Sequence, residues 1–426
     1  MKQIRLGIAG LGTVAQGVLH IIQHNGATIA ARTGVQLSVA RVASRTPRPE
    51  VELLGASFST DLNDLLADDS VDLIVELIGG DGVARQLIQD ALAAGKPVVT
   101  ANKAVIAAHG NDLLSDNLRV PLRFEAAVAG AIPIIQAIRQ GLVANQFQHV
   151  VGIINGTSNY ILTAMQEQGA AFGDALAKAQ ELGYAEADPT FDVEGIDAAH
   201  KLAILLGLAF DTPFNFDDIF IEGITGITSE DILYADEMGY RIKHLGLARQ
   251  TADGLEARVH PTLVPKQQLL ASVNGVLNAV LVKADAAGDT MFAGPGAGGS
   301  ATASAVLADV LDIARTWPDI SELHGRDGIE AKRILPVSEI VSAHYLRIPA
   351  RDEAGVFAQI ANALSSHGIS IEAAIQKEPP AGADFASVVI LTNVTKEAAI
   401  AAAEAELAKL PQIAGPIARI RVESLD

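Results

Sequence analysis

The sequence predicts an α/β protein with a Rossmann-type parallel-sheet domain, an α+β domain and a C-terminal ferredoxin-like domain. Three observations lead to this fold class. Residues 1–130 alternate strands and helices around glycine turns, residues 131–320 lose that regular alternation, and residues 343–426 follow the order βαββαβ. A stretch over residues 321–342 is predicted to be a linker, and a helix near residues 300–320 is expected to return to the first sheet.

The composition places the chain among globular proteins and excludes several classes of function. Its 426 residues, 49% of them hydrophobic, are enough for two or three domains with real cores. The formal net charge of −19 argues against nucleic-acid binding, which needs a basic face. Cysteine is absent, so disulfides, thiolate metal sites and a cysteine nucleophile are excluded.

The location of the protein is predicted from its apolar segments. The longest of them, over residues 202–210, is too short to span a bilayer, so no membrane partner is expected. The first residues lead directly into a strand rather than into a signal peptide. We therefore expect a cytoplasmic protein.

The elements of residues 1–130 are expected to form one parallel sheet with helices on both faces. Ile4–Ala9 is an apolar run that ends at glycines, as buried parallel strands do. A helix is predicted to follow it and to end at Gly26. The remaining elements are predicted as strands at 37–43, 71–77, 97–100 and 122–128, and helices at 82–94 and up to residue 114.

The elements of the two later domains differ in kind. The middle domain is predicted to have mostly antiparallel strands at 150–155, 219–225, 241–248 and 255–264, and helices at 134–142, 158–168, 174–182, 196–208 and 301–315. The last domain is predicted to have strands at 344–349, 369–376, 385–392 and 417–422, helices at 355–367 and 396–410, and a turn at 379–382.

The glycine turn after the first strand has the pattern Gly10-x-Gly12-x-x-Ala15. Such a turn, between a strand and the start of a helix, binds the pyrophosphate of a dinucleotide. Gly12 allows close approach of the backbone, and the amides of Thr13 and Val14 lie at a helix N-terminus that favours anions. The alternative is a glycine-rich turn with a purely structural role.

The end of the second predicted strand indicates which dinucleotide is bound. NAD-specific domains usually carry an acidic residue there for the ribose hydroxyls. This chain has Ser44 and Arg45 instead, and these side chains suit the 2′-phosphate of NADP. NADP is therefore favoured over NAD, with a solvated surface arginine as the alternative reading of Arg45.

A cluster of carboxylates around one lysine predicts the site of proton transfer. Asp197 and Lys201 share one face of a predicted helix, and Glu186 and Asp192 precede it on a loop. A partly buried lysine beside a carboxylate can exchange a proton with an alcohol, and the acidic residues can bind an ammonium group. A surface ion pair between Asp197 and Lys201 is the alternative.

Two further segments place polar groups at strand ends. Thr100 and Lys103 follow a strand of the first sheet, on the carboxyl edge where such sheets bind ligands. Lys103 would there reach the nicotinamide and the substrate, or it is a surface lysine at a helix start. Residues 155–160 combine a strand end with a helix start and offer amides and hydroxyls to a substrate carboxylate.

Motifs along nearly the whole chain resemble the homoserine dehydrogenase family, in its longer bacterial form with a C-terminal ACT domain. They are Gly10-Leu11-Gly12-Thr13-Val14, Ala101-Asn102-Lys103, Glu125–Pro133, Asn155–Tyr160, Gly183–Lys201, and Gly294–Gly298 with Thr302–Val306. The chain departs from the family pattern at Ala15, where glycine is usual, and at Ser300-Ala301, where a bulkier residue and proline often stand.

The resemblance implies the NAD(P)-dependent interconversion of L-homoserine and L-aspartate 4-semialdehyde, in the biosynthesis of threonine, methionine and isoleucine. It implies that Lys201 exchanges the proton and that Lys103 lines the site near the nicotinamide. Homoserine would contact Glu186 and Asp197, with Asp192 close by. The remaining implied contacts are Gly183 and Gly296 against the cofactor, and a monovalent cation, usually sodium, at Glu125 and the carbonyls of Val128, Gly130 and Ile132.

The C-terminal domain resembles an ACT domain, a small fold that senses amino acids. Its ligand loop reads Asp352-Glu353-Ala354-Gly355-Val356, with alanine where the family usually has proline. With Asp352 and Gly355 at the start of its first helix, the domain is predicted to bind L-threonine, the pathway end product, and to lower activity. A purely dimerising module is the alternative, and a homo-oligomer is expected.

Two other functions compete with a dehydrogenase of this family. A phosphorylating or acylating semialdehyde dehydrogenase forms a thioester on cysteine, which this chain lacks. A sensor that binds a dinucleotide without catalysis is the second alternative. The presence of both lysines and of the carboxylate cluster argues against it.

Overall fold

The computed structural model describes residues 1–115, 119–318, 329–377 and 385–425. Residues 321–328 of the predicted linker and the predicted turn at 379–382 lie outside these ranges. The chain forms two units, which consist of Met1–Val150, Ala199–Asp217 and Leu277–Lys332, and of Val151–Ala198, Asp218–Val276 and Arg333–Asp426. No helix within the described ranges has the length and hydrophobicity that crossing a membrane requires.

The described residues of the N-terminal part contain seven strands and five helices. The strands are β1 (Lys2–Ala9), β2 (Val35–Ala43), β3 (Ser57–Ser59), β4 (Leu73–Glu76), β5 (Val98–Thr100), β6 (Leu122–Arg123) and β7 (Phe147–Ile153). The helices are α1 (Thr13–Thr33), α2 (Asn63–Ala67), α3 (Gly82–Ala93), α4 (Lys103–Leu113) and α5 (Ile134–Gln136), which continues as a π-helical turn over Ala137–Gly141.

The middle of the chain contains six helices and five strands. The helices are α6 (Gly156–Gln168), α7 (Phe172–Glu181), α8 (Thr190–Val193), α9 (Ile196–Ala209), α10 (Ser229–Glu237) and α11 (Gly299–Thr316). The strands are β8 (Phe220–Ile221), β9 (Tyr240–Gln250), β10 (Leu255–Pro265), β11 (Leu277–Ala284) and β12 (Gly288–Pro295).

The C-terminal part has the predicted βαββαβ order with one additional short strand. Its elements are β13 (Val341–Arg351), α12 (Val356–Ser366), β14 (Ile371–Gln376), β15 (Phe385–Thr392), β16 (Thr395–Lys396), α13 (Glu397–Leu407) and β17 (Ala418–Val422). The four main strands lie in the antiparallel order β17-β13-β15-β14, so the ferredoxin-like prediction is confirmed.

The first unit is built on a six-stranded sheet in the order β3-β2-β1-β4-β5-β6, with every pair parallel. This is the strand order of a Rossmann domain, and the prediction is confirmed. The order reverses between β1 and β4, and ligands of such sheets bind outside the carboxyl ends of the strands at that point. Helices α1 and α11 cover one face of the sheet in a common hydrophobic core.

Helix α1 does not end at Gly26 as predicted but continues to Thr33. It is capped by Gly34, whose left-handed backbone (φ 72°) lets its amide donate to the carbonyl of Ala30. A glycine inside a helix costs only about 1 kcal/mol, and the packing of Ile29 on the hydrophobic core offsets it. Tertiary contacts therefore extend this helix beyond the glycine.

Two predicted strands are shorter than expected, and several observed elements were not predicted. The strand 122–128 ends at Arg123, because Glu125–Ala127 turns into a 3₁₀ helix once the Glu125 amide donates to the buried Asp309 carboxylate. The strand 219–225 contains only Phe220–Ile221. The sequence analysis missed the elements β3, α2, α8, α10, β11, β12 and β16.

The second unit contains the C-terminal strands and part of the middle region in one sheet. Its strand order is β9-β10-β17-β13-β15-β14, with β8 also paired to β10. Antiparallel pairing of β9 and β10 confirms the expectation for these two middle strands. The expectation is wrong for β8, which runs parallel to β10, as β17 does. One core joins residues of α6 and α10 to Tyr345, Val389 and Ile420 of the C-terminal strands. The other face of those strands is covered by α12 and α13.

The close contact between α1 and the start of α11 predicts how substitutions of two glycines in α1 change the free energy of unfolding. A β-carbon at position 17 would lie 2.5 Å from the carbonyl oxygen of Gly299, whereas one at Gly26, on the same helix, would meet nothing within 4 Å. We expect Gly17→Ala to lower the free energy of unfolding by about 1–3 kcal/mol through overpacking. Gly26→Ala, the matched control, is expected to raise it by roughly 0.5–1 kcal/mol.

Urea denaturation of the two variants checks this pair. If Gly17→Ala were as stable as Gly26→Ala, the close approach of the two helices would be refuted.

Candidate active site

The glycine turn after β1 has the geometry that a dinucleotide phosphate requires. Gly10 has a φ of 98°, and a β-carbon there would lie 2.6 Å from the carbonyl oxygen of Leu77. Gly12 precedes the first residue of α1 and has no side chain to cap it, and the space beside it is open. The amides of Thr13 and Val14, at the helix start, are thus left to an anion.

A buried glutamate organises the neighbouring strand ends. Glu76, the last residue of β4, is fully buried and accepts hydrogen bonds from the Thr100 hydroxyl (2.5 Å) and the Ile78 amide (2.7 Å). Burial raises the pKa of this carboxyl group. The sequence analysis missed Glu76, although an acidic residue that ends an apolar strand at the ligand edge of a sheet was a usable signal.

The same network positions Lys103. The Asn102 amide donates to the Thr100 hydroxyl (2.9 Å), and the Asn102 side chain caps α4 by accepting from the Val105 amide (3.2 Å). The side-chain nitrogen of Asn102 (Nδ2) donates to the Gly80 carbonyl (2.6 Å). Lys103 is the first residue of α4 and is half-buried. The cap therefore fixes the backbone position of Lys103 at the carboxyl edge of the sheet.

Ser44 and Arg45 follow the end of β2 directly, as predicted. The Ser44 amide donates to the Ser59 carbonyl (3.0 Å) at the end of β3. Arg45 is exposed. Its guanidinium thus lies beyond the second strand with its charge open to solvent.

Two of the predicted substrate carboxylates are joined by a single amide. The Asn155 side chain donates to Asp192 (2.8 Å) and to Asp197 (2.9 Å), and its oxygen caps α6 by accepting from the Ser158 amide (2.7 Å). Asp197 is only 4% exposed. Burial of this carboxylate is not the geometry of a solvent-exposed ion pair, in which both partners are hydrated.

The hydroxyls after Asn155 bind the chain itself rather than lying free. Thr157 donates to the Tyr184 carbonyl (2.7 Å), and Ser158 donates to the Asp192 carbonyl (3.1 Å). They tie the loop that contains Gly183 (φ 75°) and the exposed Glu186 to the start of α6. The sequence analysis expected these groups to be available to a substrate.

Lys201 follows Asp197 by one turn on α9 and is half-buried. The residues around it on the helix, Ala198, Ala199, Leu202 and Ala203, are buried and apolar. The backbone thus fixes the start of the Lys201 side chain, and its ammonium group is the polar end of an otherwise apolar stretch.

The predicted cation site contains two buried carboxyl groups. Glu125 is 2% exposed, and its two oxygens accept hydrogen bonds from the amides of Ile135 and Gln136, both at 2.8 Å. Burial raises the pKa of Glu125 to about 7. It also raises the pKa of the adjacent Asp309, and the charge of Glu125 adds to that effect. A cation beside these two carboxyl groups would favour their ionised forms.

The backbone around this site turns sharply. Ala129 and Gly130 both have left-handed backbones, with φ of 55° and 57°. A β-carbon at Gly130 would lie 2.4 Å from the carbonyl oxygen of Gly296, so only glycine fits. The carbonyls of Val128, Gly130 and Ile132 therefore belong to one tight turn. No cluster of three or more His, Asp or Glu side chains suited to a metal occurs in the described part of the chain.

Gly296 has a second close neighbour that the sequence analysis missed. A β-carbon at position 296 would lie 2.1 Å from the side chain of Asn278, which is fully buried on β11. Neither polar atom of this amide has a hydrogen-bond partner among the described residues. Gly296 thus lies closely packed between Gly130 and Asn278.

A Rossmann sheet with this glycine turn defines a class, the nicotinamide-dinucleotide oxidoreductases. Comparison with known proteins agrees. Residues 10–119 match the family model "Homoserine dehydrogenase, NAD binding domain", residues 133–311 match "Homoserine dehydrogenase", and residues 344–412 match "ACT domain".

Full-length relatives show the same family. The chain is 48% identical to a homoserine dehydrogenase of Pseudomonas aeruginosa and 46% identical to one of Neisseria gonorrhoeae, with 100% of each chain covered. It superimposes on the crystal structure of a homoserine dehydrogenase from Thiobacillus denitrificans with a TM-score of 0.94 and 46% identity, covering 100% of this chain and 99% of that one.

The chain belongs to the homoserine dehydrogenase family. It is an oxidoreductase that acts on a CH–OH group and interconverts L-homoserine and L-aspartate 4-semialdehyde with a nicotinamide cofactor. The expectation of this activity and of a C-terminal ACT domain is confirmed.

Proposed function

We propose that Lys201 exchanges the proton of the homoserine hydroxyl. The supporting observation is the Asn155-bridged pair of Asp192 and Asp197, at the start of the helix that carries Lys201. A nicotinamide bound at the glycine turn after β1 would supply the hydride acceptor for the oxidation. In that direction Lys201 accepts the hydroxyl proton as the C=O bond forms. In the reduction it returns that proton to the oxygen.

Lys103 is proposed to line the site beside the nicotinamide. Its support is the Glu76–Thr100–Asn102 network, which fixes the start of α4 at the carboxyl edge of the sheet. A positive charge there would stabilise negative charge that develops on the substrate oxygen.

Glu186, Asp192 and Asp197 are proposed to bind the α-ammonium group of the amino-acid substrate. The Asn155 bridge supports this for the last two, because it holds two like charges together in a partly buried site. A cationic ligand would relieve their repulsion. This role also explains why carboxylates rather than neutral acceptors occupy the loop.

The proton-transfer role predicts the kinetics of Lys201→Ala. We expect kcat to fall by about 10²–10⁴-fold, as is typical for a general acid–base group. The Kd of the cofactor is expected to stay unchanged. Stopped-flow and steady-state rates with cofactor titration measure both quantities.

Lys178→Ala is the matched control, because Lys178 is an exposed lysine that pairs with the exposed Glu181 of the same helix, α7. It should keep wild-type kcat. A Lys201→Ala enzyme with kcat near that of the control would remove Lys201 from the mechanism.

The cofactor is proposed to be NADP rather than NAD. Gly10, Gly12, Thr13 and Val14 would hold the pyrophosphate, and Arg45 would pair with the 2′-phosphate. The open space at Gly12 and the solvent-facing guanidinium of Arg45 support this. The further proposed cofactor contacts are Thr100, Lys103, Gly183 and Gly296.

Arg45→Ala tests this preference. We expect kcat/KM for NADP to fall by roughly ten- to a hundredfold, since a charge-assisted hydrogen bond contributes about 1.5–3 kcal/mol. The value for NAD should change less than about twofold. Arg48→Ala, a second exposed arginine in the same loop, is the control. Equal losses for both dinucleotides would contradict the assignment.

A monovalent cation, with sodium favoured, is proposed to bind Glu125 and the carbonyls of Val128, Gly130 and Ile132. The tight turn and the buried, desolvated carboxyl group support an oxygen-lined site of this kind. Such an ion would lock the turn that packs against Gly296.

The cation proposal predicts a salt-specific stabilisation. Sodium chloride should raise Tm above the value in choline chloride of equal ionic strength, and Glu125→Gln should remove most of that difference. Binding at a hundredfold excess over Kd contributes about 2.7 kcal/mol. Differential scanning fluorimetry across both salts gives the answer, and equal Tm values for the wild type in the two salts would argue against the site.

The ACT domain is proposed to bind L-threonine and to lower activity within a homo-oligomer. Gly355 (φ 91°) precedes α12 with an open helix start, which suits a carboxylate. Asp352 is exposed and accepts a long hydrogen bond (3.2 Å) from Gln376, and its exposure suits contact with an ammonium group. Regulation of catalysis from this domain would act by favouring a less active arrangement of subunits.

The threonine site is best tested by point substitution, since truncation would remove strand β17 from the shared sheet. We expect L-threonine to inhibit the full chain, with coupling of roughly 5–150-fold. Asp352→Ala should weaken inhibition, and Glu353→Ala should not. Light scattering reports the oligomeric state in parallel. Absence of inhibition at millimolar L-threonine would refute the sensor role.

A further inference from the structure

A fully buried arginine of the C-terminal strand joins three parts of the second unit. The Arg421 guanidinium donates two hydrogen bonds to Glu397 of α13 (2.6 and 3.0 Å) and one to Glu222 (2.9 Å). It also lies over the ring of Phe220 at 4.8 Å. Arg421 is 0% exposed and Glu397 is 3% exposed, whereas the Glu222 side chain is 35% exposed, so Arg421 joins one buried and one partly exposed carboxylate.

Glu222 is held at its backbone as well as at its side chain. It directly follows β8, whose residues pair in parallel with β10. Its amide donates to the carbonyl of Val259 (2.8 Å), and its carbonyl accepts from the His244 ring (3.0 Å). The position of Glu222 is therefore fixed from both sides, and Arg421 is the partner that decides where its carboxylate lies.

The residues after Glu222 hold the segment Val193–Gly195. The Ile224 amide donates to the carbonyl of Val193 (2.8 Å), and the Thr225 hydroxyl donates to the Glu194 carboxylate (3.1 Å). Gly223 packs so closely that a β-carbon there would lie 2.5 Å from the Val193 carbonyl oxygen. The two segments are in direct backbone contact.

The held segment lies in the chain between the two carboxylates that Asn155 bridges. Val193 follows Asp192, and Gly195 precedes α9, which begins one residue before Asp197. Gly195 has a left-handed backbone (φ 85°), and a β-carbon there would lie 3.1 Å from the His244 ring. A displacement of Glu222 would therefore reach the spacing of Asp192 and Asp197.

We propose that Arg421 is a positioning residue for the substrate carboxylates, acting through Glu222 and the Val193–Gly195 segment. This inference rests on the proposed role of Asp192 and Asp197 in binding the ammonium group of homoserine. The C-terminal strand then supports the substrate site directly, in addition to any effector binding by the ACT domain.

The test compares Glu→Gln substitutions at two glutamates, each of which pairs with a fully buried arginine of the second unit. Glu222→Gln loses the charge that Arg421 holds, and should raise KM for homoserine at least about fivefold, in the range of coupling between contacting residues. It should leave kcat and KM for the dinucleotide within roughly twofold. Glu423→Gln is the control, because Glu423 pairs instead with Arg258 and Arg249.

The control separates positioning from stability. Glu423→Gln is expected to lower Tm at least as much as Glu222→Gln, because Arg258 is 0% exposed and loses a charged partner. It should nevertheless keep the homoserine KM of the wild type. If both variants raise KM alike, the effect is general destabilisation and the proposal fails.

A double-substitution cycle completes the test. Arg421→Lys keeps one charge but cannot bridge two carboxylates with a planar fork, so it should raise KM for homoserine as Glu222→Gln does. The double variant should be no worse than either single one. Additive effects would overturn the connection between the two residues.

Asp192→Asn distinguishes failure of this inference from failure of the proposed function. If Asp192→Asn raises KM and Glu222→Gln does not, only the positioning role of Arg421 is overturned. If Asp192→Asn leaves KM unchanged, the assignment of that carboxylate to the substrate fails, and the inference fails with it.

Discussion

The two hydrogen bonds that Asn155 donates to Asp192 and Asp197 are the interaction on which the substrate half of the structure depends. Two carboxylates that accept hydrogen bonds from one side-chain amide repel each other. They stay close together because the backbone segments that carry them are held in place. Asn155 is itself fixed, because its oxygen caps α6. The chain between the carboxylates is fixed by a close backbone contact with Gly223. The backbone thus holds the positions of the two carboxylates.

Local patterns predicted the cofactor half of the molecule well, and long-range contacts explain what they missed. Gly10 and Gly12 predict a turn from a pattern of only a few residues. The alternation of strands and helices around that turn predicts the strand order. The role of Asn155 depends on partners about forty residues away, and that of Glu76 on Thr100. The periodicity of hydrophobic residues does not predict hydrogen bonds between side chains that are far apart in the sequence. The prediction that α1 ends at Gly26 was wrong for the same reason, because the packing of Ile29 on the hydrophobic core outweighs the local helix-ending tendency of a glycine.

The predicted site residues divide in the same way. Lys103 and Arg45 were placed by their position after a strand, which the structure reproduces. The hydroxyls of Thr157 and Ser158 looked equally available, yet both bind carbonyls of the loop that follows. A motif identifies which polar groups are present in a segment. It does not identify which of them are already satisfied within the fold.

The buried ion pairs around β17 are better understood as a means of fixing position than as a source of stability. Desolvating Arg421, Glu397 and Arg258 costs several kcal/mol per charge, and apolar residues of similar volume often pack at least as stably. A guanidinium has a property that an apolar side chain lacks, because its planar fork fixes the direction of each carboxylate it meets. Arg421 meets one carboxylate in α13 and one beside β8, so it transmits position between the C-terminal domain and the substrate loop. In such a sheet, an effector that shifts β17 even slightly has a direct mechanical route to Asp192 and Asp197, whether or not the subunits also rearrange.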